Sequence, residues 1–524
     1  MVDLSKLEVI GRVIGETSHT SVVFTATKPP SVGEYVVIEY PDGGAVLGIV
    51  ESSRIGNPLL TGKYLRPEVV EYAESFGAER HHYVVGQARL LSRVDSLINE
   101  GIVESPKYPP NPMARVFRAS DDLLRRIFGS RGGSCIRLGV LANHPKVPFY
   151  VDVNAVVSRH LAILAITGAG KSNTVAVLVR GIVDELGGTV LLIDMHSEYG
   201  GVARRCRVVT PKVNPANLTI HEYYRLLNLG EGATKQRLYL RRAYSYVKHV
   251  CGRELEKFFD LLIEEVERIL STGKYREVRG GEVKEVKISG KDKSSVIDLL
   301  LKLYDLRDRY WGIVLSPEAP IDLEAVVKPG YANVIKLGSV GEEVADVITS
   351  HYLRRLLESR KRFRVCGKGY PVPVLTVIEE AHVLIPRNRS TLTKEVVARV
   401  AREGRKFGLG LCLVSQRPKN VDEDALSQTN NKIILRLVEP QDQRYVQAAS
   451  ETLSDELLAL LPSLNVGEAV VLGLMTPIPA LVKVDKVKKE AGEDIEAHKE
   501  WREWVFRELS SSGSNVYDEL GING

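Results

Sequence analysis

The sequence is poor in cysteine. Its 524 residues include five, at positions 135, 206, 251, 366 and 412, and no two of them form a C-x-x-C pair. This scatter gives no support to a disulfide framework or to a cysteine-based metal site. We therefore expect a protein of a reducing compartment, the cytoplasm.

Long apolar runs and an excess of one charge are also missing. The best apolar candidate, Leu161–Ile166, is far shorter than the ~18 residues that a helix needs to cross a bilayer. The first residues, Met-Val-Asp-Leu-Ser-Lys, have neither the basic head nor the apolar core of a secretory signal. Lys and Arg number 71 against 66 Asp and Glu, a net charge of +5. We therefore expect no membrane function, and charge alone does not indicate a nucleic-acid partner.

Short segments rich in Val and Ile fill the first 100 residues. Ser21–Thr27, Tyr35–Tyr40 and Ala45–Val50 have this composition, and clusters of Pro, Gly and Asp separate them. Four or five such strands predict a small β-barrel or sandwich over residues 1–100. Several prolines follow, and we interpret residues 101–149 as a linker with a short helix.

The pattern changes at about residue 150. Leu161–Ile166 is a continuous apolar run, typical of a strand buried on both faces. A glycine-containing loop, a helical stretch and a second apolar run, Gly188–Ile193, follow it. This β-loop-α-β order predicts a parallel sheet, and we assign residues 150–214 and 331–485 to one α/β domain. Its later strands are predicted at Asn333–Leu337, Val374–Ile378, Leu409–Val414, Ala469–Leu474 and Ala480–Val484.

Residues 215–330 interrupt that rhythm. Leu238–Leu270 has a helical period, and Ser294–Tyr310 is another helical segment. The charged stretch between them, Tyr275–Lys293, is predicted to be an exposed loop or hairpin. We interpret the whole as a helical insertion, and residues 486–524 as a C-terminal tail with one helix.

The strongest chemical motif lies between the first apolar strand and the helix. The eight residues ending at Ser172 read A-I-T-G-A-G-K-S, which matches the phosphate-binding P-loop, except that Ala165 replaces its first glycine. Gly168 and Gly170 would let backbone N–H groups surround a phosphate at a helix N-terminus. Lys171 would reach the β- and γ-phosphates, and the Ser172 hydroxyl would hold Mg²⁺. The predicted ATP-binding residues are Thr167, Gly168, Ala169, Gly170, Lys171, Ser172 and Asn173.

Two acids follow a later apolar strand. Val374–Ile378 leads directly into Glu379 and Glu380, and ligands of open α/β sheets bind at this edge. Because side chains alternate along a strand, the two carboxylates should differ in role. We predict that Glu379 supports Mg²⁺ through water and that Glu380 is the general base for the attacking water. The alternative is that both acids cap the next helix.

Two further polar segments follow buried strands. Asp194–Tyr199 (D-M-H-S-E-Y) comes after the second strand, and the same geometry places it near the nucleotide. A structural histidine is the alternative for His196. Gln416 follows the strand Leu409–Val414, where we predict that it senses the γ-phosphate or orients water. A plain strand-end turn before Pro418 is the alternative there.

Arg405 and Arg159 are the arginine candidates. The helix before Arg405 has one apolar face, and Gly404 is predicted to cap it. Arg405 would then stand on a loop and stabilise transferred charge in a neighbouring subunit's site; a solvated helix end is the alternative. Arg159 precedes the first strand of the core. The basic runs Arg354–Lys368 and Lys483–Lys489 are candidates for DNA contact, with solvated faces as the alternative.

Taken in order, these motifs resemble the HerA/FtsK superfamily of ring-forming, DNA-pumping ATPases, and its archaeal HerA members in particular. The resemblance spans nearly the whole chain, and the N-terminal segment resembles the barrel of HerA and of ATP synthase subunits. The implied fold is α/β, a RecA-like P-loop ATPase core with an N-terminal small β-barrel and a helical insertion. The residues that carry the resemblance are Ser158–Ile163, the P-loop through Thr174, Asp194–Tyr199, Glu379–His382, Gly404–Gly408 and Ser415–Pro418.

The resemblance implies a homohexamer that threads double-stranded DNA and works with the nuclease NurA in resecting DNA ends before recombination. It also implies that Arg405, and with it Arg159, acts on the ATP of a neighbouring protomer. Two other functions remain open. A protein-translocating ATPase of the type IV secretion class shares this core, but the chain has no membrane segment and its N-terminal part fits the barrel better. A nucleotide-gated scaffold without catalysis would not need a base such as Glu380.

Overall fold

The chain begins with a closed β-barrel. The computed structural model describes residues 3–60, 66–130, 132–252, 254–320 and 322–487. The barrel strands are β1 (Val9–Ile14), β2 (Ser21–Ala26), β3 (Tyr35–Glu39), β4 (Ala45–Gly56), β5 (Tyr83–Arg93) and β6 (Arg115–Arg118). Their order is β1-β2-β5-β4-β3-β6, and antiparallel pairing of β6 with β1 closes the barrel. Alternate residues point inward, so that Phe24, Val36, Ile38 and Val46 fill the interior.

A large mixed sheet forms the centre of the rest of the chain. Its region contains β7 (Cys135–Leu141), β8 (His144–Asp152), β9 (Leu161–Leu164), β10 (Val190–Asp194), β11 (Cys206–Val209), β12 (Lys274–Arg279), β13 (Glu282–Lys287), β14 (Ala332–Lys336), β15 (Val374–Ile378), β16 (Leu409–Ser415), β17 (Asn431–Ile434), β18 (Glu468–Leu472) and β19 (Ala480–Val484). Apart from the separate hairpin β12–β13, they form one sheet of order β11-β14-β10-β15-β16-β9-β17-β18-β19-β7-β8. Neighbours from β11 to β17 are parallel. Every residue of β9, β10, β15 and β16 is buried, as expected for strands covered on both faces.

Helices connect and cover these strands. They are α1 (Pro67–Ser75), α2 (Val94–Asn99), α3 (Asp121–Phe128), α4 (Val153–Arg159), α5 (Lys171–Arg180), α6 (Ile220–Leu226), α7 (Thr234–Val250), α8 (Phe258–Thr272), α9 (Lys293–Tyr310), α10 (Leu323–Val326), α11 (Glu342–Cys366), α12 (Ala381–Leu384), α13 (Leu392–Phe407), α14 (Glu423–Ser427), α15 (Pro440–Ala448) and α16 (Asp455–Leu460). A π-helical turn, Gly181–Glu185, continues α5. Within the described ranges, no helix combines the length and the apolar character that a bilayer span requires.

Residues 215–330 consist mainly of helices, with one hairpin. The single helical stretch expected over Leu238–Leu270 is divided between α7 and α8. Gly252 lies between them with a φ of 56°, and a right-handed helix cannot continue through that conformation. The charged stretch Tyr275–Lys293 contains most of the hairpin β12–β13 and leads into α9.

The linker expected over residues 101–149 is wrong for most of that segment. Its first part, 101–114, has no helix or strand, but β6 then completes the barrel, and β7 and β8 extend the large sheet. α3 packs against β8 and buries Leu124 and Phe128. Most of the segment therefore belongs to the folded core. The tail beyond residue 487, with the helix expected in it, lies outside the described residues.

The helix expected to end at Gly404 continues to Phe407. Gly408, with a φ of 69°, is the residue that ends α13. Gly404 is buried inside the helix, where a Cβ atom would overlap the carbonyl oxygen of Leu409. Glycine at 404 therefore allows α13 to pack closely against the start of β16. Arg405 consequently lies on the last helical turn and not on a loop.

Candidate active site

The P-loop joins β9 to α5 at the carboxyl edge of the parallel strands. Gly168 and Gly170 have φ values of 78° and 104°, a region that glycine enters without strain. Gly170 precedes α5 and makes no side-chain cap, so the first N–H groups of the helix are available to a phosphate. Ala165 is buried and its φ is not positive. The departure from the motif is therefore at a position that does not require glycine.

The ammonium group of Lys171 contacts the acids after β15. Its Nζ donates a hydrogen bond to Oε1 of Glu380 at 2.5 Å and lies 3.9 Å from Oε1 of Glu379. The Lys171 and Glu380 side chains are 11% and 4% exposed. The P-loop lysine and the predicted base therefore form one largely buried ion pair.

Glu380 directly follows β15 in a left-handed conformation, with a φ of 48°, which is uncommon for a residue with a side chain. Its side chain does not cap α12, contrary to the helix-cap alternative. Oε2 lies 3.1 Å from Nδ1 of His382, and Oε1 lies 3.6 Å from Nε2 of His196. Burial favours the neutral acid, but the nearby His382 and the hydrogen bond from Lys171 outweigh it and lower the pKa of Glu380 to about 2. Glu380 is thus ionised at neutral pH, the state that a general base requires.

The side chain of Glu379 points into the protein interior and not into the space that the side chain of Glu380 faces. Its side chain is 1% exposed, and Oε1 accepts a hydrogen bond from the Tyr199 hydroxyl at 3.0 Å. Burial raises the pKa of Glu379 to about 8; Lys171 opposes this shift, whereas Asp194 and Glu198 add to it. Oε2 is buried without a hydrogen-bond partner. Alternation along the strand therefore gives the two neighbouring acids different surroundings and different protonation.

β16 lies between β9 and β15, so the residue after it reaches the space between the P-loop and the acids. There Oε1 of Gln416 accepts a hydrogen bond from the Thr167 hydroxyl at 2.6 Å. The Ser415 hydroxyl, at the end of β16, lies 3.4 Å from Nδ1 of His382. The strand order thus brings Gln416, as expected, to the P-loop.

The loop after β10 adds a carboxylate for which no role was predicted from the sequence. Asp194 is fully buried and accepts hydrogen bonds from the backbone N–H groups of His196, Glu198 and Tyr199, at 3.3, 3.1 and 3.1 Å. The loop that results places Oε2 of Glu198 2.7 Å from the Ser172 hydroxyl, which donates to it. The signal for Glu198 was its place after a buried strand, and β10 does pair with β15.

An open cavity of about 560 Å³ lies among these side chains, within the range of small-molecule sites. Of the predicted ATP-binding residues, Ala169 is buried and does not line it. Asn173 lines it and also bonds the chain after β19, at Asp485 and Val487. N–H groups and a lysine suit phosphates, while hydroxyl and carboxylate oxygens suit Mg²⁺, so the set fits a nucleoside triphosphate with its cation. The lining residues are Ile166, Thr167, Gly168, Gly170, Lys171, Ser172, Asn173, His196, Glu198, Glu380 and Gln416.

Arg405 and Arg159 lie at the other edge of the sheet. Arg159 ends α4 just before β9, and Arg405 is on the last turn of α13 just before β16. Both stand at the amino ends of parallel strands, whereas the P-loop cavity is at the carboxyl ends. Arg405 lines a different cavity, of about 630 Å³, together with Gly188 and Pro373. Neither arginine is brought to the P-loop of its own chain, and their action on a neighbour stays a prediction.

Much of the predicted basic surface is engaged within the chain. In the run Arg354–Lys368, Arg354 and Lys361 pair with carboxylates, and the buried Arg360 donates to two backbone carbonyl groups. The first lysine of the run Lys483–Lys489 donates to another backbone carbonyl, and positions 488 and 489 lie outside the described residues. These described members therefore serve the fold.

Comparison with known proteins identifies the family. Family models match consecutive parts of the chain: the HAS barrel domain at residues 10–95, the central domain of helicase HerA at 136–356 and the HerA-like C-terminal domain at 368–493. A probable helicase of Methanocaldococcus jannaschii, MJ1565, is 37% identical over 501 residues, 94% of each chain. The DNA double-strand break repair helicase HerA of Sulfurisphaera tokodaii is 39% identical over 506 residues, 94% of this chain and 96% of its own. Its namesake in Saccharolobus solfataricus is 37% identical over 508 residues, 96% and 98% of the two chains.

A solved structure supports the fold. VirB4 of Thermoanaerobacter pseudethanolicus superposes with a TM-score of 0.51 at 17% identity, covering 69% of this chain and 99% of its own. At that identity the likeness concerns the fold alone. Together with the family matches, it confirms the expected α/β fold with an N-terminal barrel and a P-loop ATPase core. The chain therefore belongs to the HerA helicase family of enzymes.

Proposed function

We propose that this protein is an ATP-driven translocase of double-stranded DNA, which works as a homohexamer with a NurA-type nuclease in the resection of DNA ends for recombinational repair. The observation that carries this proposal is the similarity, over nearly the full chain, to proteins named DNA double-strand break repair helicase HerA. The P-loop cavity and its ionised acid support the ATP-hydrolysing part of the proposal.

Hydrolysis would begin with a change of partner for the P-loop lysine. Lys171 must leave Glu380 to reach the β- and γ-phosphates of ATP. Because Lys171 helps to lower the pKa of Glu380 while burial raises it, the departure of the lysine makes Glu380 a stronger base. Glu380 would then accept a proton from the attacking water. Gln416, bonded to Thr167, is placed to orient that water or contact the γ-phosphate.

Mg²⁺ would be held by the Ser172 hydroxyl, with Glu379 supporting it through water. When bound, the cation neutralises charge on the β- and γ-phosphates. The unpartnered Oε2 of Glu379 is a polar atom that such a water could satisfy, since buried polar atoms are rarely left without a partner.

The arginine that stabilises transferred charge would come from a neighbouring subunit. Arg405 and Arg159 stand at the sheet edge opposite the P-loop. A ring in which the amino edge of one core faces the carboxyl edge of the next would bring them to the neighbour's phosphates. Light scattering should therefore give a mass of six times the 58.0 kDa of one chain; a monomer at working concentration would contradict the ring.

A protein-translocating ATPase of the type IV secretion class is the other function considered. The likeness to VirB4 covers 69% of the chain at 17% identity, which concerns the fold and not the transported polymer. The relatives that match over 94% of the chain are named as helicases. DNA is therefore the polymer that we propose.

The first experiment measures ATP hydrolysis with and without linear duplex DNA. We expect several-fold stimulation by DNA in the wild type and no hydrolysis in Lys171→Ala. Lys284→Ala is the matched control, because this exposed lysine lies on the hairpin β12–β13, far along the chain from the P-loop. Hydrolysis that ignores DNA would contradict DNA translocation, and tight ATP binding without turnover would favour a scaffold.

A further inference from the structure

Glu198 and Glu379 are the two carboxylates to consider for the Mg²⁺ site, and they differ in their position relative to the cavity. The Ser172 hydroxyl donates to Glu198 at 2.7 Å, and both residues line the cavity. Glu379 is not among the lining residues; it is almost fully buried and bonded to the Tyr199 hydroxyl. The carboxylate beside Ser172 that faces the cavity is therefore Glu198.

The loop itself holds Glu198 in this place. The buried carboxylate of Asp194 accepts N–H groups from three residues of the loop, one of them Glu198. Ser197, just before it, has a φ of 63°, a conformation that persists only where the surroundings enforce it. On the other side, Tyr199 is buried against Glu379. Glu198 is thus fixed at both neighbours and at its own backbone, which is unusual for a merely solvated surface acid.

The direction of the Ser172 hydrogen bond matters to a cation. A hydroxyl group has one hydrogen and two lone pairs. When the hydrogen is given to Glu198, the oxygen keeps lone pairs with which it can bind a cation. Mg²⁺ takes oxygen ligands and is held in nucleotide sites by one or two carboxylates together with substrate phosphates. The Glu198 carboxylate therefore orients the hydroxyl and adds negative charge at its side.

The geometry points to Glu198 as the positioning carboxylate of the Mg²⁺ site, which fixes the Ser172 hydroxyl from the cavity side, whereas Glu379 is buried outside the cavity lining. This role rests on the proposed function, since it requires Mg²⁺-ATP at the P-loop. The carboxylate on the nucleotide side of the metal site therefore comes from the loop after β10 and not from the acid that follows β15.

The test measures binding of a fluorescent ATP analogue to the full-length protein, once in EDTA and once during a Mg²⁺ titration. In EDTA, Glu198→Gln should bind the analogue at least as tightly as the wild type, because one negative charge beside the phosphates is removed. In the titration, its Mg²⁺ midpoint should rise about tenfold, the usual cost of losing a residue that orients a metal ligand. Glu198→Asp, which keeps the charge on a shorter stem, should lie between the two.

Glu379→Gln is the matched control, and its midpoint should move less than that of Glu198→Gln. A purely structural role for Glu198 would instead weaken binding in EDTA and in Mg²⁺ together, and that result would overturn the inference. So would an unchanged midpoint in Glu198→Gln, or a larger shift in Glu379→Gln. If the wild type binds the analogue no better than Lys171→Ala in EDTA, the proposed ATP site itself fails, which is a distinguishable outcome. Should Glu198→Gln not fold, the Mg²⁺ midpoints of Glu198→Asp, Glu379→Gln and the wild type are compared instead. A midpoint that is higher in Glu198→Asp than in Glu379→Gln and the wild type supports the inference, and any other order overturns it.

Discussion

Replacing Glu380 by glutamine should separate ATP binding from hydrolysis. In the wild type, the ammonium group of Lys171 must exchange Glu380, at 2.5 Å, for a phosphate. A hydrogen bond to a charged group is worth about 1.5–3 kcal/mol, and a glutamine oxygen would keep part of it. A loss of about 1.4 kcal/mol in this competing contact corresponds to tenfold tighter ATP binding.

Hydrolysis should change in the opposite direction. Glutamine cannot take a proton from water, and a positioned general base contributes about 10²–10⁴-fold to the rate. The assay combines a fluorescent-nucleotide titration with release of phosphate, and Glu39→Gln serves as control because this barrel carboxylate pairs with Arg115 away from the P-loop. ATP binding that is weaker in Glu380→Gln than in the control, or hydrolysis at the control rate, would refute the reasoning.

Two predictions concern the core. Lys432 is buried, donates to the carbonyl oxygen of Thr429, and has its pKa lowered by burial from 10.5 to about 8. Between these two pH values the unfolded chain binds more protons than the folded chain. The free energy of unfolding of the wild type, relative to that of Lys432→Met, should therefore rise from pH 8 to 10.5 by on the order of 3 kcal/mol. If urea unfolding shows the same pH dependence in both proteins, the prediction is contradicted. Gly404→Ala should cost ~1–3 kcal/mol by overlap with Leu409, whereas Gly290→Ala, in open space, should unfold like the wild type.

The elements that the sequence predicts best are those with a strong local signal. The apolar runs that became β9, β10, β15 and β16 are buried along their whole length, and the glycines of the P-loop have the positive φ values that its phosphate-binding form needs. Of the strands between residues 101 and 149, β6 is not predicted because it has only four residues, alternation is weak over so short a stretch, and nearby prolines suggest a linker.

Other differences depend on contacts distant in sequence. A glycine after a helical segment, such as Gly404, predicts the end of the helix. In the structure, glycine is needed at this position because the helix packs closely on Leu409. Arg360 lies in a basic run, yet the carbonyl groups of Phe407 and Tyr370, 47 and 10 residues away along the chain, bind it inside the fold. The part played by Glu198 depends on its distance to Ser172, which no spacing along the chain reveals.

The most direct test of the central claim is displacement of a triplex-forming strand from linear duplex DNA. A motor that moves along the duplex removes the third strand only while it hydrolyses ATP. We predict ATP-dependent displacement by the wild type, alone or after addition of a NurA-type nuclease, and none by Glu380→Gln although it binds ATP. Stable triplex in the presence of a protein that hydrolyses ATP and binds the same DNA would contradict translocation.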